Sequence, residues 1–169
     1  MNDKGGVHTS SGGDPIGIEL HYMFYQFGFE PGLEDVTFVD LEIVNMGTQT
    51  LQDFTSSFFI DFDLGDYSDD YLGTDSTRNM MFCYNADNND ATMGGSLGYG
   101  TPPPAVGVMC LSHPLDYTSV FTSGGSPNTT DPSTVTGYYN VMRGKWANGG
   151  DRLDPNGNPF NFFLSLIHI

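Results

Sequence analysis

The stretch that decides the fold class is TFVDLEIVN, residues 37–45. Apolar and acidic side chains alternate along it, with Val39, Leu41 and Ile43 on one face and Asp40 and Glu42 on the other. Because successive side chains of a β-strand point to opposite faces, this period of two places one apolar row on a core and one acidic row toward solvent. The stretch therefore predicts a strand over residues 36–45.

The same kinds of pattern predict further strands along the chain. These strands cover Ile16–Phe27, Leu51–Leu64, Asn79–Tyr84, Ala105–Leu111 and Tyr117–Thr122. The strand at 51–64 is expected to return along the strand at 36–45 as an antiparallel hairpin. One short helix is predicted near residues 132–143, with Asp131 or Ser133 as its N-cap.

Composition agrees with a chain of many short strands. The 169 residues include 22 glycines and 10 prolines, which suit strands joined by turns better than they suit long helices. The length fits one domain with a proper core. We therefore predict a mainly β fold, an antiparallel β-sandwich of the Ig-like or jelly-roll-like kind, as a single domain over residues 1–163.

The charge of the chain restricts its partners. Five lysines and arginines stand against 21 aspartates and glutamates, which gives a formal net charge of −16. Such a field repels phosphate backbones and anionic lipid headgroups, so nucleic acid is excluded as a partner. No apolar run approaches the ~18 residues that a membrane span needs, so no membrane insertion is expected. The acidity points instead to cations.

Acidic residues are concentrated in FIDFDLGDYSDDYLGTD, residues 59–75. The glycines of this stretch can fold its carboxylates toward each other, and Ca²⁺, which takes six to eight oxygen ligands, would relieve their repulsion. The spacing does not match an EF-hand loop. The alternative is a solvated acidic loop with Asx-turns. The predicted ligands of a structural calcium ion are Asp61, Asp63, Asp66, Asp69, Asp70 and Asp75.

A second polar patch, NADNND at residues 85–90, offers amide and carboxylate oxygens to the same ion or to another. A surface loop is the preferred interpretation of this patch. Catalytic residues are not predicted, since the chain has neither a G-x-S-x-G elbow nor a zinc motif of the H-E-x-x-H type. Cys83 and Cys110 lie in apolar stretches and are either buried thiols or a disulfide.

The chain ends in LSLIHI, residues 164–169. This sequence resembles the translated end of a transposon used to prepare sequencing libraries. Such a tail is excluded from fold reasoning, and the natural protein is then expected to continue beyond Phe163. The alternative is a genuine terminal strand.

Several longer phrases resemble a recurrent β-rich region of large secreted proteins from Bacteroidota-type bacteria. They include FVDLEIVNMGTQTLQDF, IDFDLGDYSDDYLGTDSTRNMMFCYNAD and DPSTVTGYYNVMRGKWANG. Members of that group commonly carry a signal peptide and a C-terminal sorting domain for type IX secretion, so this sequence is expected to be a fragment of a longer multidomain protein. The resemblance spans about residues 2–154 and implies an extracellular or cell-surface location rather than a reaction.

These observations together favour a non-catalytic binding or adhesion module that holds structural calcium. Its expected partner is an extracellular glycan or a surface protein. One alternative is a carbohydrate-binding unit or part of a glycan-acting hydrolase, and another is a structural spacer domain. For the carbohydrate alternative, the aromatic rings that could stack on sugars are Tyr67, Tyr71, Tyr99 and Trp146.

Overall fold

The structure is a computed structural model that describes residues 6, 8–93, 96–121, 129–162 and 167–168. The chain divides into two compact units, Met1–Phe54 and Thr55–Ile169. Strands account for 28% and helix for 7% of the chain. Among the described residues, the strands form two antiparallel sheets, and there is one α-helix. The predicted mainly β class is confirmed. The packing of the sheets as a sandwich and the single domain over residues 1–163 stay predictions.

The N-terminal unit contains a two-stranded antiparallel sheet, β1 (Ile18–Tyr25) and β2 (Phe38–Asn45). In its register Leu20 lies opposite Ile43 and Phe24 opposite Val39, so the alternating apolar residues of both strands share one face. Both strands were predicted. Their pairing was not, because β2 was expected to pair with residues 51–64.

The predicted strand Leu51–Leu64 is wrong, since none of these residues joins a ladder. Alternation is nevertheless present at its end, where Phe62 and Leu64 are buried and Asp61 and Asp63 are exposed. The backbone N–H of Leu64 donates to the Asp70 carboxylate rather than to a neighbouring strand. A period of two therefore identified the faces of an extended segment without identifying a partner for it.

The C-terminal unit contains a four-stranded antiparallel sheet in the order β5-β4-β3-β6. Its strands are β3 (Asp70–Asp75), β4 (Met80–Asn85), β5 (Ala105–Met109) and β6 (Ile167–His168). The predicted strands at 79–84 and 105–111 are confirmed as β4 and β5. Strand β3 was not predicted.

The predicted strand Tyr117–Thr122 is wrong over residues 117–121, and Thr122 lies outside the described residues. This segment bonds to loops and to the helix instead of to a ladder. Thr118 N–H donates to the Asn161 carbonyl at 3.0 Å, and Ser119 Oγ donates to the Val141 carbonyl at 2.8 Å. Apolar composition alone did not distinguish this extended connection from a strand.

The predicted helix is confirmed as α1 (Val135–Met142). Its N-cap is Thr134, whose side-chain oxygen accepts a hydrogen bond from Gly137 N–H at 3.1 Å, so Asp131 and Ser133 are not the cap. Val141 is buried on the inner side of the helix. Beyond the helix, the buried Arg152 guanidinium stacks over the Trp146 ring at 4.3 Å, and burial lowers the pKa of Arg152 to about 10.

The core of the C-terminal unit is a small cluster of Phe62, Leu64, Leu72 and Cys83. Three partly buried side chains pack against it: Ile60, Val120 and Phe160. Leu72 and Cys83 face each other across β3 and β4, so the core lies on one face of the sheet. Residues 59–75, called the acidic segment below, run directly along this cluster.

Of the predicted tail, residues 164–166 and 169 lie outside the described residues, while Ile167 and His168 form β6 beside β3. The origin of the tail stays a prediction. Within the part of the chain that the structure describes, no helix is both long enough and apolar enough to cross a membrane.

Candidate functional site

The acidic segment joins the core to the sheet through a tight turn. After Leu64 the chain turns at Gly65, whose φ is +68°, and then forms a short 3-10 helix, Tyr67–Asp69. Strand β3 begins at Asp70, the next residue. The aspartates expected in an open loop are therefore distributed over a turn, a helix and a strand.

Asp66 is the N-cap of the 3-10 helix and is 1% exposed. Its Oδ1 accepts hydrogen bonds from Ser68 N–H at 3.0 Å and Ser68 Oγ at 2.6 Å, and its Oδ2 accepts one from Met93 N–H at 2.6 Å. The Ser68 hydroxyl is the main cause of a lowered Asp66 pKa, followed by the Ser68 N–H. Both oxygens of Asp66 are thus occupied by protein donors.

Asp90 has a similar structural role from the patch at residues 85–90. It is 1% exposed, and its carboxylate accepts hydrogen bonds from Asp66 N–H at 3.1 Å and from Tyr99 N–H at 2.7 Å. A side chain at Gly65 would place its Cβ 1.9 Å from the Asp90 Oδ2 atom. Glycine is therefore required at position 65 for the two acidic stretches to meet.

Asp75 ends β3 and organises the β3–β4 turn. Its Oδ1 accepts hydrogen bonds from the N–H and hydroxyl of Thr77 and from the N–H of Arg78, and its Oδ2 pairs with the Arg78 guanidinium. These contacts, with the Thr77 hydroxyl first and the Arg78 guanidinium second, lower the pKa of Asp75 to about 2. Asp61 and Asp63 are exposed.

Three oxygens remain in the acidic segment and its neighbouring strand. The Oδ1 atoms of Asp69, Asp70 and Asn85 are buried, and none of them accepts an N–H or O–H hydrogen bond from the residues that the structure describes. Asp70 is 0% exposed and Asn85 is 5% exposed. Buried acceptors without donors are rare in proteins, and each costs about 1–3 kcal/mol.

The three residues that carry these oxygens lie at one corner of the sheet. Asp70 and Asn85 are partners across the β3–β4 ladder, which puts their side chains on the same face. The carbonyl of Asp69 accepts the N–H of Ala86 at 2.9 Å, so this pairing continues past Asn85. The corner therefore combines two carboxylates from the 3-10 helix and β3 with one amide from β4.

The ionised form of Asp70 is disfavoured in this corner. Burial is the main cause of its raised pKa, and the charges of Asp69 and Asp90 raise it further. The Leu64 N–H, at 3.1 Å from Oδ2, and the adjacent Cys83 thiol act in the opposite direction. Burial and the Asp70 charge in turn raise the pKa of Cys83 to about 12.

A hard divalent cation suits such a corner, because carboxylate and amide oxygens are the ligands that Ca²⁺ prefers. Among the described residues, no group of three or more His, Cys, Asp or Glu side chains is arranged to hold a metal ion. The six predicted aspartates are thus not gathered into one all-acid group, and their role as calcium ligands stays a prediction. The corner differs from such a group because its third oxygen is an amide.

Two tyrosines flank the acidic segment at the surface. Tyr67 in the 3-10 helix is 53% exposed, and Tyr99, which lies against Gly65, is 65% exposed. The other two aromatics considered for sugar stacking are half-buried, Tyr71 against Tyr84 and Trp146 beneath Arg152. Both cysteines are free thiols, with Cys83 buried.

Asn85 and Asp90 were assigned to a loop in the sequence, and the structure places both at the acidic segment. Asn85 is the last residue of β4, and Asp90 links the two stretches. The signal for Asn85 was its place directly after the apolar run MMFCY. A polar residue that ends an apolar strand lies beside the end of the neighbouring strand.

The chain was compared with protein-family models, with curated proteins and with solved structures. No match was found in any of the three comparisons.

Proposed function

We propose that this chain is a non-catalytic binding or adhesion module of an extracellular or cell-surface protein, and that its acidic segment holds calcium as a structural ion. The observation that carries the calcium proposal is the set of buried oxygens at Asp69, Asp70 and Asn85 that accept no N–H or O–H hydrogen bond from the residues that the structure describes. A bound cation takes the place of the missing hydrogen-bond donors and neutralises the charge of the buried carboxylates.

The charge of the whole chain supports a cation rather than an anion as the ligand. With a formal net charge of −16, the protein concentrates cations near its surface and repels phosphates and acidic lipids. Extracellular calcium-binding modules work at dissociation constants of about 0.1–1 mM, which a site with two carboxylates can reach. The resemblance to secreted Bacteroidota-type proteins supports the same location.

Thermal unfolding with calcium and with a chelator tests the structural ion. A ligand bound only by the folded state at ten times its dissociation constant stabilises it by about 1.4 kcal/mol. For a chain of this size that corresponds to a rise in Tm of about 3–6 °C. An unchanged Tm at about 10 mM calcium would refute the calcium part of the proposal.

The proposed partner is an extracellular glycan or a surface protein, and a carbohydrate-binding unit is the second candidate. The specific observation for the second candidate is the pair of exposed rings, Tyr67 and Tyr99, beside the acidic segment. Aromatic rings stack on the apolar faces of sugars, and their own burial against a ligand contributes binding energy.

A glycan array probed with the calcium-loaded protein separates these candidates. Sugar binding that is lost in Tyr67→Ala or Tyr99→Ala supports the carbohydrate-binding unit. Tyr138→Ala is the matched control, because Tyr138 is an exposed tyrosine on α1. Binding to surface proteins without binding to glycans supports adhesion, and a lack of both favours a spacer domain. Release of sugars from a tested polysaccharide would overturn the non-catalytic assignment.

A further inference from the structure

The calcium proposal can be sharpened to a defined site, which rests on that proposal. We propose that one divalent cation binds at the corner of β3 and β4 through the Oδ1 atoms of Asp69, Asp70 and Asn85. The remaining ligands are water molecules. Asp66 and Asp75 support the fold without touching the ion, and Asp61 and Asp63 are exposed residues outside the site.

The neutral side chain of Asn85 contributes one of the three oxygens. Asn85 is 5% exposed, and its Oδ1 has no N–H or O–H donor among the described residues. Its Nδ2 donates to the Asp87 carbonyl at 3.3 Å, so one end of the amide is used and the other is left over. An acidic cluster alone would not predict a buried amide with an unpaired oxygen at the ladder position opposite Asp70. A shared cation accounts for both oxygens.

The neighbouring carboxylates are already occupied by protein donors. Both oxygens of Asp66 and both oxygens of Asp90 accept hydrogen bonds from backbone N–H groups. Asp75 is occupied by Thr77 and by the Arg78 guanidinium. Among the described residues, the buried side-chain oxygens still free to bind an ion are therefore the Oδ1 atoms of Asp69, Asp70 and Asn85.

The charge and the burial of the ligands indicate which ion the site prefers. Two carboxylates supply two negative charges, which a divalent cation neutralises. Buried protein oxygens require the ion to give up part of its water shell, and Mg²⁺ dehydrates reluctantly while demanding octahedral geometry. Ca²⁺ accepts irregular sets of six to eight oxygens. We therefore expect the site to prefer Ca²⁺ to Mg²⁺.

Terbium luminescence provides a direct readout, because Tb³⁺ shares the oxygen preference of Ca²⁺ and accepts excitation energy from nearby tyrosines. Tyr71 and Tyr84 are stacked one step along the ladder from Asp70 and Asn85, with ring centroids 6.2 Å apart. Titration of the full chain with Tb³⁺ is expected to give a saturating tyrosine-excited signal at one equivalent. Ca²⁺ is expected to displace it at lower concentration than Mg²⁺.

Two ligand variants and two controls assign the signal to residues. Asp70→Asn is expected to weaken binding by at least about tenfold, because one of two ligand charges is lost. Asn85→Ala is expected to weaken it less, since an amide oxygen carries no full charge. Asp61→Asn and Asp63→Asn remove equal charge from exposed positions and are expected to change affinity by no more than about twofold. Circular dichroism checks that every variant is folded.

The outcomes distinguish the site from the broader proposal. Equal calcium stabilisation of wild type, Asp70→Asn and Asn85→Ala would overturn this site and leave a structural calcium ion elsewhere. Loss of binding in Asp61→Asn or Asp63→Asn with retention in Asp70→Asn would overturn it as well. Absence of any saturable Tb³⁺ or Ca²⁺ binding would overturn both calcium claims, while the glycan array would still test the binding module independently.

Discussion

Asp70 and Asn85 lie opposite each other at the end of the β3–β4 ladder that is away from the turn, and both side chains are buried. The next pair on the same face is Leu72 and Cys83, which belongs to the apolar core. A carboxylate and an amide thus extend a hydrophobic row, and among the described residues no basic side chain forms an ion pair with Asp70. This arrangement costs stability unless a cation joins it.

Replacement of Asp70 by asparagine is expected to stabilise the metal-free protein. The Asn oxygen can still accept the Leu64 N–H, and the new NH₂ group can donate toward the Asn85 oxygen. One added hydrogen bond and one removed buried charge predict a gain of about 1 kcal/mol, or about 2–4 °C in Tm. Thermal unfolding in chelator measures it, with Asp61→Asn as the control for net charge.

The same variant gives a prediction for pH. The pKa of Asp70 is raised in the folded state, so its ionised form costs stability above that pKa, and the cost disappears as pH falls through it. The titratable groups that shift the pKa of Asp70 are Asp69, Asp90 and Cys83. The advantage of Asp70→Asn should therefore be largest near neutral pH and shrink toward acid. A variant less stable than wild type in chelator at neutral pH would contradict the argument.

Much of the fold was predictable because local pattern and observed structure coincide where strands alternate. Strands β1 and β2 and helix α1 were recognised from periodicity, and β4 and β5 from apolar stretches between loop-rich connectors. Residues 51–64 and 117–121 were assigned wrongly. An extended segment with alternating faces looks the same in sequence whether or not a neighbour accepts its hydrogen bonds. Pairing depends on contacts far along the chain, which one sequence does not contain.

The site was predictable in part for a related reason. The density of aspartates identified the segment, but not the difference between Asp66, whose oxygens are filled by backbone N–H groups, and Asp70, whose Oδ1 is left over. That difference follows from the 3-10 helix and from the start of β3 at Asp70, which was predicted as loop. Asn85 required the strand register, which places it opposite Asp70.

Asp75 predicts an acid-sensitive turn. Its pKa is lowered to about 2, first by the Thr77 hydroxyl and then by Arg78, so its contribution to stability is present above the usual value of 3.8 and is lost as pH falls toward about 2. Asp75→Asn should lower the urea midpoint near neutral pH, and the deficit should close in strong acid. A deficit that does not depend on pH would show that the carboxylate charge is not responsible.

Cys83 is expected to be inert in the folded protein. It is 0% exposed, and its pKa of about 12 leaves almost no thiolate at neutral pH. Iodoacetamide should therefore modify the less buried Cys110 first and Cys83 only after unfolding. Mass spectrometry of Cys110→Ser with and without urea isolates Cys83. Equal modification rates in the two conditions would contradict its burial.

Gly65 is expected to tolerate alanine less well than a glycine of similar φ whose surroundings are open. It has a φ of +68°, and an added Cβ would lie 1.9 Å from Asp90 Oδ2. Gly157 is the matched control, because its φ is +84° and an added Cβ would meet nothing within 4 Å. Both alanine variants pay the conformational cost of a left-handed residue, about 1 kcal/mol or more.

The difference between the two variants isolates the contact. Gly65→Ala also displaces the Asp90 carboxylate from the N–H groups of Asp66 and Tyr99, which adds on the order of 2 kcal/mol for two charge-assisted hydrogen bonds. Urea unfolding in chelator measures both variants under the same conditions. Equal losses at positions 65 and 157 would mean that Asp90 does not hold the acidic segment in place, because the shared backbone cost would then explain everything.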